Sequence, residues 1–109
     1  MKLSDRIKLK TVSTKYDERL NEIETVEWID LGKCSIMPNT AAKVTRGNDG
    51  KEYLYAYEII MKVPKNLFGS RIVPQEGDDI HIAKADGTIN KECKVSGFVT
   101  LRNWLKIWV

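Results

Sequence analysis

Residues 22–38, EIETVEWIDLGKCSIMP, decide how this chain folds. Thr25, Val26, Trp28 and Ile29 are β-branched or aromatic, which suits a pleated, half-buried surface. The stretch reads as one strand, a sharp turn at Gly32, and a second strand stopped by Pro38. Val26, Trp28, Ile29, Leu31, Cys34, Ile36 and Met37 give that pair enough apolar surface to sit in a core. Glu22, Glu24, Glu27, Asp30 and Lys33 keep its other surface wet. A helix over 17–28 is the competing reading, because Leu20, Ile23 and Glu24 fit an i, i+3, i+4 spacing. The run Thr25, Val26, Trp28 favours the strand.

The sequence on either side has the same period. In 6–12, Ile7, Leu9 and Thr11 alternate with Arg6, Lys8 and Lys10, the pattern of a half-buried strand. After Pro38 a polar loop, 39–50, closes on Asn48-Asp49-Gly50. A long strand is expected over 51–63, with Tyr53, Tyr55, Tyr57, Ile59 and Met61 on one face and a bend or bulge to accommodate its length. A second long connection, 64–77, carries Leu67, Phe68, Ile72 and Val73, expected to pin it to the barrel. The Asp86-Gly87 pair between alternating runs predicts a hairpin with a type I′ turn, linking 79–84 to 88–95. A last hairpin is expected to pair 92–99 with 103–109, turning near 100–102. The expected fold is therefore all-β: a small, mostly antiparallel β-barrel of about six or seven strands with two long loops, forming one domain over 1–109. Either long loop has room for one short helix.

At 109 residues and 12.5 kDa the chain can bury a core without disulfide staples. Cys34 and Cys93 are too few for a disulfide framework and fall in strands, where a free cysteine behaves as a small apolar group. A single bridge between them remains open. One histidine and no Cys-x-x-Cys argue against structural zinc. The first ten residues contain no apolar run, so neither a signal peptide nor a membrane span is expected, and the chain is assigned to a cytoplasm or a particle assembled there.

The net charge of +3 is segmented. Residues 1–16 hold an excess of cations and 17–30 an excess of acids, a pattern suited to docking against copies or neighbours. The tyrosine stripe Tyr53, Tyr55, Tyr57 would stack single-stranded bases if exposed, or pack a barrel wall if not. Arg102, Trp104, Lys106 and Trp108 form a second stripe, suited to a protein interface or to covering the barrel. Asp78, Asp79 and His81 offer two ligands on one strand face but no third. Lys43, Arg46 and Lys51 make the first long loop basic. No G-x-x-x-x-G-K-[ST], G-x-S-x-G or H-E-x-x-H occurs, so no catalytic residue, metal or cofactor is expected, and the chain is not expected to be an enzyme.

The order of these features is similar to a known family. A basic strand (Arg6-Ile7-Lys8-Leu9) precedes Tyr16-Asp17, then an acidic strand ending Glu27-Trp28-x-Asp30. Cys34-x-Ile36-x-Pro38, a long loop, the strand 53–62, Gly77-Asp78-Asp79-x-His81 and a closing Leu105-x-Ile107 follow. This resembles the head–tail joining proteins of tailed bacteriophages, known as head-closure, stopper or adaptor proteins. The resemblance implies a small barrel assembling with copies of itself into a ring in the virion, built in the host bacterial cytoplasm. Portal or adaptor protein would lie on one side and tail proteins on the other, with no membrane partner. It also implies that the loop 39–50 meets the channel, with Lys43, Arg46 and Lys51 in non-specific contact with packaged double-stranded DNA. The candidate subunit interface comprises Glu22, Glu24 and Glu27, the basic Arg6, Lys8 and Lys10, and Trp104 and Trp108, with the basic and acidic stretches serving its two sides. A monomeric oligonucleotide-binding barrel, gripping single-stranded nucleic acid through its tyrosines, is the alternative.

Overall fold

A computed structural model describes residues 3–39, 44–46 and 52–109, with 44–46 and 52–54 described in backbone only. Every described element is a strand: β1 (Asp5–Tyr16), β2 (Glu22–Pro38), β3 (Val44–Arg46), β4 (Glu52–Leu54), β5 (Tyr57–Lys62), β6 (Asp79–Ala83), β7 (Asn90–Lys94), β8 (Gly97–Leu101) and β9 (Trp104–Trp108). Seven of them form one antiparallel sheet in the order β7-β6-β1-β2-β5-β9-β8, curled as a half-barrel. β3 and β4 pair separately, so Val44–Arg46 of the expected first long loop form a strand. The fold is the all-β, barrel-like one that the alternation implies.

Gly32 does not turn the chain. β2 runs unbroken for 17 residues, and Gly32 instead marks a bulge. Ile7 opposes Gly32 and Lys8 opposes Asp30, which leaves Leu31 without a partner. Gly32 takes φ +104°, and its N–H is held by Asp30 Oδ1 at 2.9 Å. Because side chains alternate, one extra residue exchanges the two faces beyond it. Cys34 and Ile36 point inward on one side of the bulge; on the other, Ile29 continues the inner face opposite Leu9, while Trp28 and Val26 turn outward. Of the apolar residues expected in the core, Leu31, Cys34 and Ile36 are buried, whereas Val26, Trp28, Ile29 and Met37 remain exposed.

The helical reading of 17–28 gives way to a hairpin. Its tip is a turn at 17–21, in which Asp17 Oδ1 accepts the N–H groups of Arg19 and Asn21 and Leu20 adopts φ 60°. Neighbouring strands support β1 and β2 only at the barrel end. β6 pairs with β1 over Arg6–Leu9, and β5 pairs with β2 over Cys34–Pro38. From Lys10 and Trp28 outward the two strands pair only with each other. This arm has seven rungs, roughly 23 Å at about 3.3 Å each. The molecule measures 54 × 29 × 29 Å, and the arm's reach matches the excess length.

The core gathers Ile7, Leu9, Leu31, Cys34, Ile36, Ile59, Met61, Ile80, Ile82, Leu105 and Ile107 from the inner faces. The expected strand 51–63 breaks at Tyr55–Ala56 into β4 and β5, a way of meeting its excess length. In 64–77, Ile72 and Val73 pack on the core, as expected. Leu67 and Phe68 do not: they are 102% and 92% exposed. Asn66 Oδ1 accepts the N–H groups of Phe68 and Ser70, and Lys65 bridges Arg71, so the segment closes on itself and turns those two side chains outward. At Asp86-Gly87 only Gly87 has positive φ (80°), and its N–H reaches Lys84 O at 3.0 Å. The turn is therefore a type I form followed by a left-handed glycine, rather than type I′. The final hairpin joins β8 to β9 through Arg102-Asn103, with Arg102 at φ 55°. Residues 92–94 belong to β7 and pair with β6.

Two fastenings hold the curl. β7 and β8, the ends of the sheet, are consecutive in sequence and joined by Val95–Ser96. Val95 bonds back to Gly77 and Asp78 beside β6, while Ser96 N–H donates to Trp108 O on β9 at 2.7 Å. The second fastening is Asp5, 4% exposed. Its carboxylate accepts Ile36 N–H at 2.8 Å and Ala85 N–H at 2.9 Å, and Lys84 Nζ stands 3.5 Å away. Lys84 Nζ also donates to Ile36 O at 2.9 Å. Burial raises the Asp5 pKa, but the two backbone N–H donors and Lys84 together outweigh it and leave it below the usual value.

Two outcomes test this account. Gly32→Ala is expected to cost about 1–2 kcal/mol in urea denaturation, from backbone strain alone, since an added Cβ would meet nothing within 4 Å. Asp5→Ala strands two buried N–H groups and is expected to cost about 3 kcal/mol. Because the folded pKa of Asp5 is depressed, its contribution is complete above its unfolded pKa of about 4 and is lost as pH falls through the lower folded value. The stability gap between wild type and Asp5→Ala should therefore be constant near neutrality and shrink on acidification below about pH 4.

Candidate functional site

Of the residues singled out for an interface, Lys10, Glu22, Glu24 and Glu27 lie on the arm, Arg6 and Lys8 on the barrel part of β1, and Trp104 and Trp108 on β9. On the arm, cross-strand rungs set the faces. Lys10/Trp28, Val12/Val26, Thr14/Glu24 and Tyr16/Glu22 share one, and Thr11/Glu27, Ser13/Thr25 and Lys15/Ile23 share the other, in line with Leu9/Ile29 of the barrel. The first face carries Val12, Val26 and Tyr16 at 56%, 51% and 64% exposure. At the arm's root it is fastened to the barrel, where Trp28 meets His81 edge-on at 6.2 Å and Lys10 Nζ lies 5.9 Å from the Trp28 ring. Lys10 also pairs with Glu92 at 3.6 Å.

The basic and acidic stretches do not lie on opposite sides of the molecule. β1 and β2 are neighbours, so Lys8 faces Asp30 across one rung and Arg6 pairs with Asp30 at 3.8 Å. Arg6 is paired locally and Lys8 shares a rung with the same aspartate, so these cations lie beside the acids of β2 rather than on a separate basic side. Glu18, Glu22, Glu24 and Glu27 have no cationic partner among the described residues.

The second stripe splits in the same way. Trp104 is 39% exposed, but Trp108 is only 6% exposed, with Tyr55 tilted against it at 6.4 Å. Trp108 is therefore part of the wall and is unavailable to a partner. Outward rungs Ile60/Lys106, Lys62/Trp104 and Leu101/Trp104 place Ile60, Leu101, Trp104 and Lys106 around a shallow apolar hollow of about 370 Å³. A second hollow of about 360 Å³ shares Trp104 and is lined by Lys62, Lys65, Arg71 and Asn103. Among the described residues, Lys62, Lys65, Arg71 and Arg102 have no carboxylate partner. Lys62, Lys65 and Arg71 were not singled out from the sequence, because only the folding of 64–77 beside β9 brings them together.

Of the tyrosine stripe, Tyr57 packs against the core with Lys91 Nζ 4.6 Å from its ring, and Tyr55 leans on Trp108 with its hydroxyl 3.4 Å from Glu58. The side chain of Tyr53 lies outside the described residues, as do Lys43, Lys51 and the Arg46 side chain proposed for the channel loop. Asp79 pairs with Lys94 at 3.0 Å and Asp78 accepts Gln75 N–H at 2.8 Å, so both carboxylates serve the local structure. Among the described residues no group of three or more His, Cys, Asp or Glu side chains could hold a metal ion.

Cys34 and Cys93 are both free thiols. Burial, reinforced by the nearby Asp5 charge, pushes the Cys34 pKa up to about 12, and burial also raises that of Cys93. Searches against protein-family models, curated proteins and solved structures find no match to this chain. Cys34 is expected to stay unmodified by iodoacetamide at pH 8 in the folded protein and to react fully once unfolded in guanidinium, as read by intact mass. Rapid native-state labelling at Cys34 would refute its assigned burial.

Proposed function

We propose that this chain is a structural virion protein of a tailed phage or prophage, forming a ring that joins the portal end of the head to the tail and helps retain packaged DNA. The observation carrying the proposal is the arm. A two-stranded ribbon is marginal by itself in water, yet this one extends seven rungs beyond the barrel with apolar and acidic side chains exposed. Such a ribbon makes physical sense when another molecule covers it. The apolar and cationic hollows around Trp104 form a different surface on the same chain. Two unlike surfaces on one subunit make a head-to-tail contact, the kind that generates rings. The barrel-like fold and an order of sequence features that resembles head–tail joining proteins supply the rest of the support.

Portal or adaptor and tail proteins are the neighbours this reading implies, and Lys43, Arg46 and Lys51 would face the DNA. Single-stranded nucleic-acid binding draws less support, since Tyr55 and Tyr57 are engaged with Trp108, Lys91 and the core. Deleting the gene from the phage should yield filled heads that leak DNA and lack tails in electron micrographs. Normal virions from the deletion would exclude the joining role. Micromolar oligonucleotide binding with steep salt dependence, abolished by Tyr55→Ala, would favour the nucleic-acid reading instead.

A further inference from the structure

We infer that the outward face of the arm of one copy lies across the two hollows around Trp104 of the next copy, with Glu22 and Glu24 meeting Lys62 and Arg71. This specifies the contact between copies and rests on the ring reading. Two observations lead to it. The arm face offers Val12, Val26 and Tyr16 beside two carboxylates with no cation partner among the described residues. The receiving face offers Ile60, Leu101 and Trp104 beside cations that likewise have no carboxylate partner among the described residues. The chemistry of each surface is thus the complement of the other, apolar against apolar and acid against base.

Charge selects the arm over the other exposed apolar element of the chain. The tip at Leu67–Phe68 is more exposed still, but its base carries Lys65 and Arg71, so in a second copy it would bring cations against the cations beside Trp104. The arm brings acids instead. Its free charges would strengthen on partial burial against the opposing cations, and Trp104 between the two hollows provides the aromatic anchor such interfaces favour. Duplex DNA is the other polyanion that Lys62, Lys65 and Arg71 would suit, but phosphates leave the apolar hollow unfilled.

Charge reversal in the full-length protein tests the pairing, with self-association read by sedimentation velocity. E22K/E24K and K62E/R71E should each weaken association by about tenfold or more, and the variant carrying all four changes should recover most of the loss. In a Cys93→Ser background, mixing Val26→Cys protein with Leu101→Cys protein should give a disulfide-linked dimer that neither forms alone. Near-ultraviolet circular dichroism on every variant confirms that the barrel is intact. Association that ignores both reversals would overturn the inference while leaving the joining role standing, since the copies would then meet elsewhere. A protein that stays monomeric up to its solubility limit would overturn it as well, as would a 20-base-pair duplex binding through Lys62 and Arg71 without any self-association. Normal virions from a gene deletion would remove the joining role alone, because the solution measurements decide the pairing independently.

Discussion

Opposite Ile7, β2 carries one residue more than its partner strand, and that residue, Leu31, is buried. The constraint is the alternation of side chains, which ties the inward face of the barrel to the faces of the arm. Without the bulge, the inward series Ile36, Cys34, Gly32 would continue through Asp30, Trp28 and Val26, directing an aspartate toward the core. With it, Leu31 and Ile29 continue the inner face, and Asp30 is free to hold Gly32 N–H and to pair with Arg6. One backbone irregularity thus lets a single strand belong to a closed core at one end and to a two-faced arm at the other.

The curl of the half-barrel rests on groups that are individually ordinary. Asp5 joins the start of β1, the end of β2 and the turn after β6 through one carboxylate. Such a buried charge is tolerated because each of its bonds is made, two by backbone and one by Lys84. Lys91, reaching from β7 to the Tyr57 ring on β5, adds a cation–π contact across the sheet.

The parts legible in the sequence were those governed by local period. Alternation in 6–12 and 79–84 marks strands, and Ile7, Leu9, Ile80 and Ile82 belong to the core. Gly32 reads as a sharp turn in the sequence and is a bulge in the structure: a left-handed glycine serves either, and only the pairing of β1 distinguishes them. Asp86-Gly87 marks the hairpin of β6 and β7 but not its turn type, because the loop closed by Lys84 N–H and Ile89 O holds two more residues than a type I′ turn. Asp5 and Lys84 went unnoticed because their partners lie 31 to 80 positions away. The cationic hollow was hidden for the same reason. Lys62, Lys65 and Arg71 share no period, and a loop closing on itself brings them together. Trp108 illustrates the reverse error, since its alternation with Trp104 gave no sign that Tyr55 would cover one and leave the other bare.

The seam at Val95–Ser96 has a mechanical consequence. Elsewhere the wall resists opening through ladders of hydrogen bonds, but β7 and β8 are held together at their junction by a peptide bond and share no ladder. Radial load would therefore act on the barrel as on a hinged clasp, pivoting at Val95–Ser96 and parting most between Asn90 and Leu101. The opposed edges of β7 and β8 keep backbone donors and acceptors outside the sheet's ladders. An eighth strand entering that slot would turn the half-barrel into a stiff, closed tube.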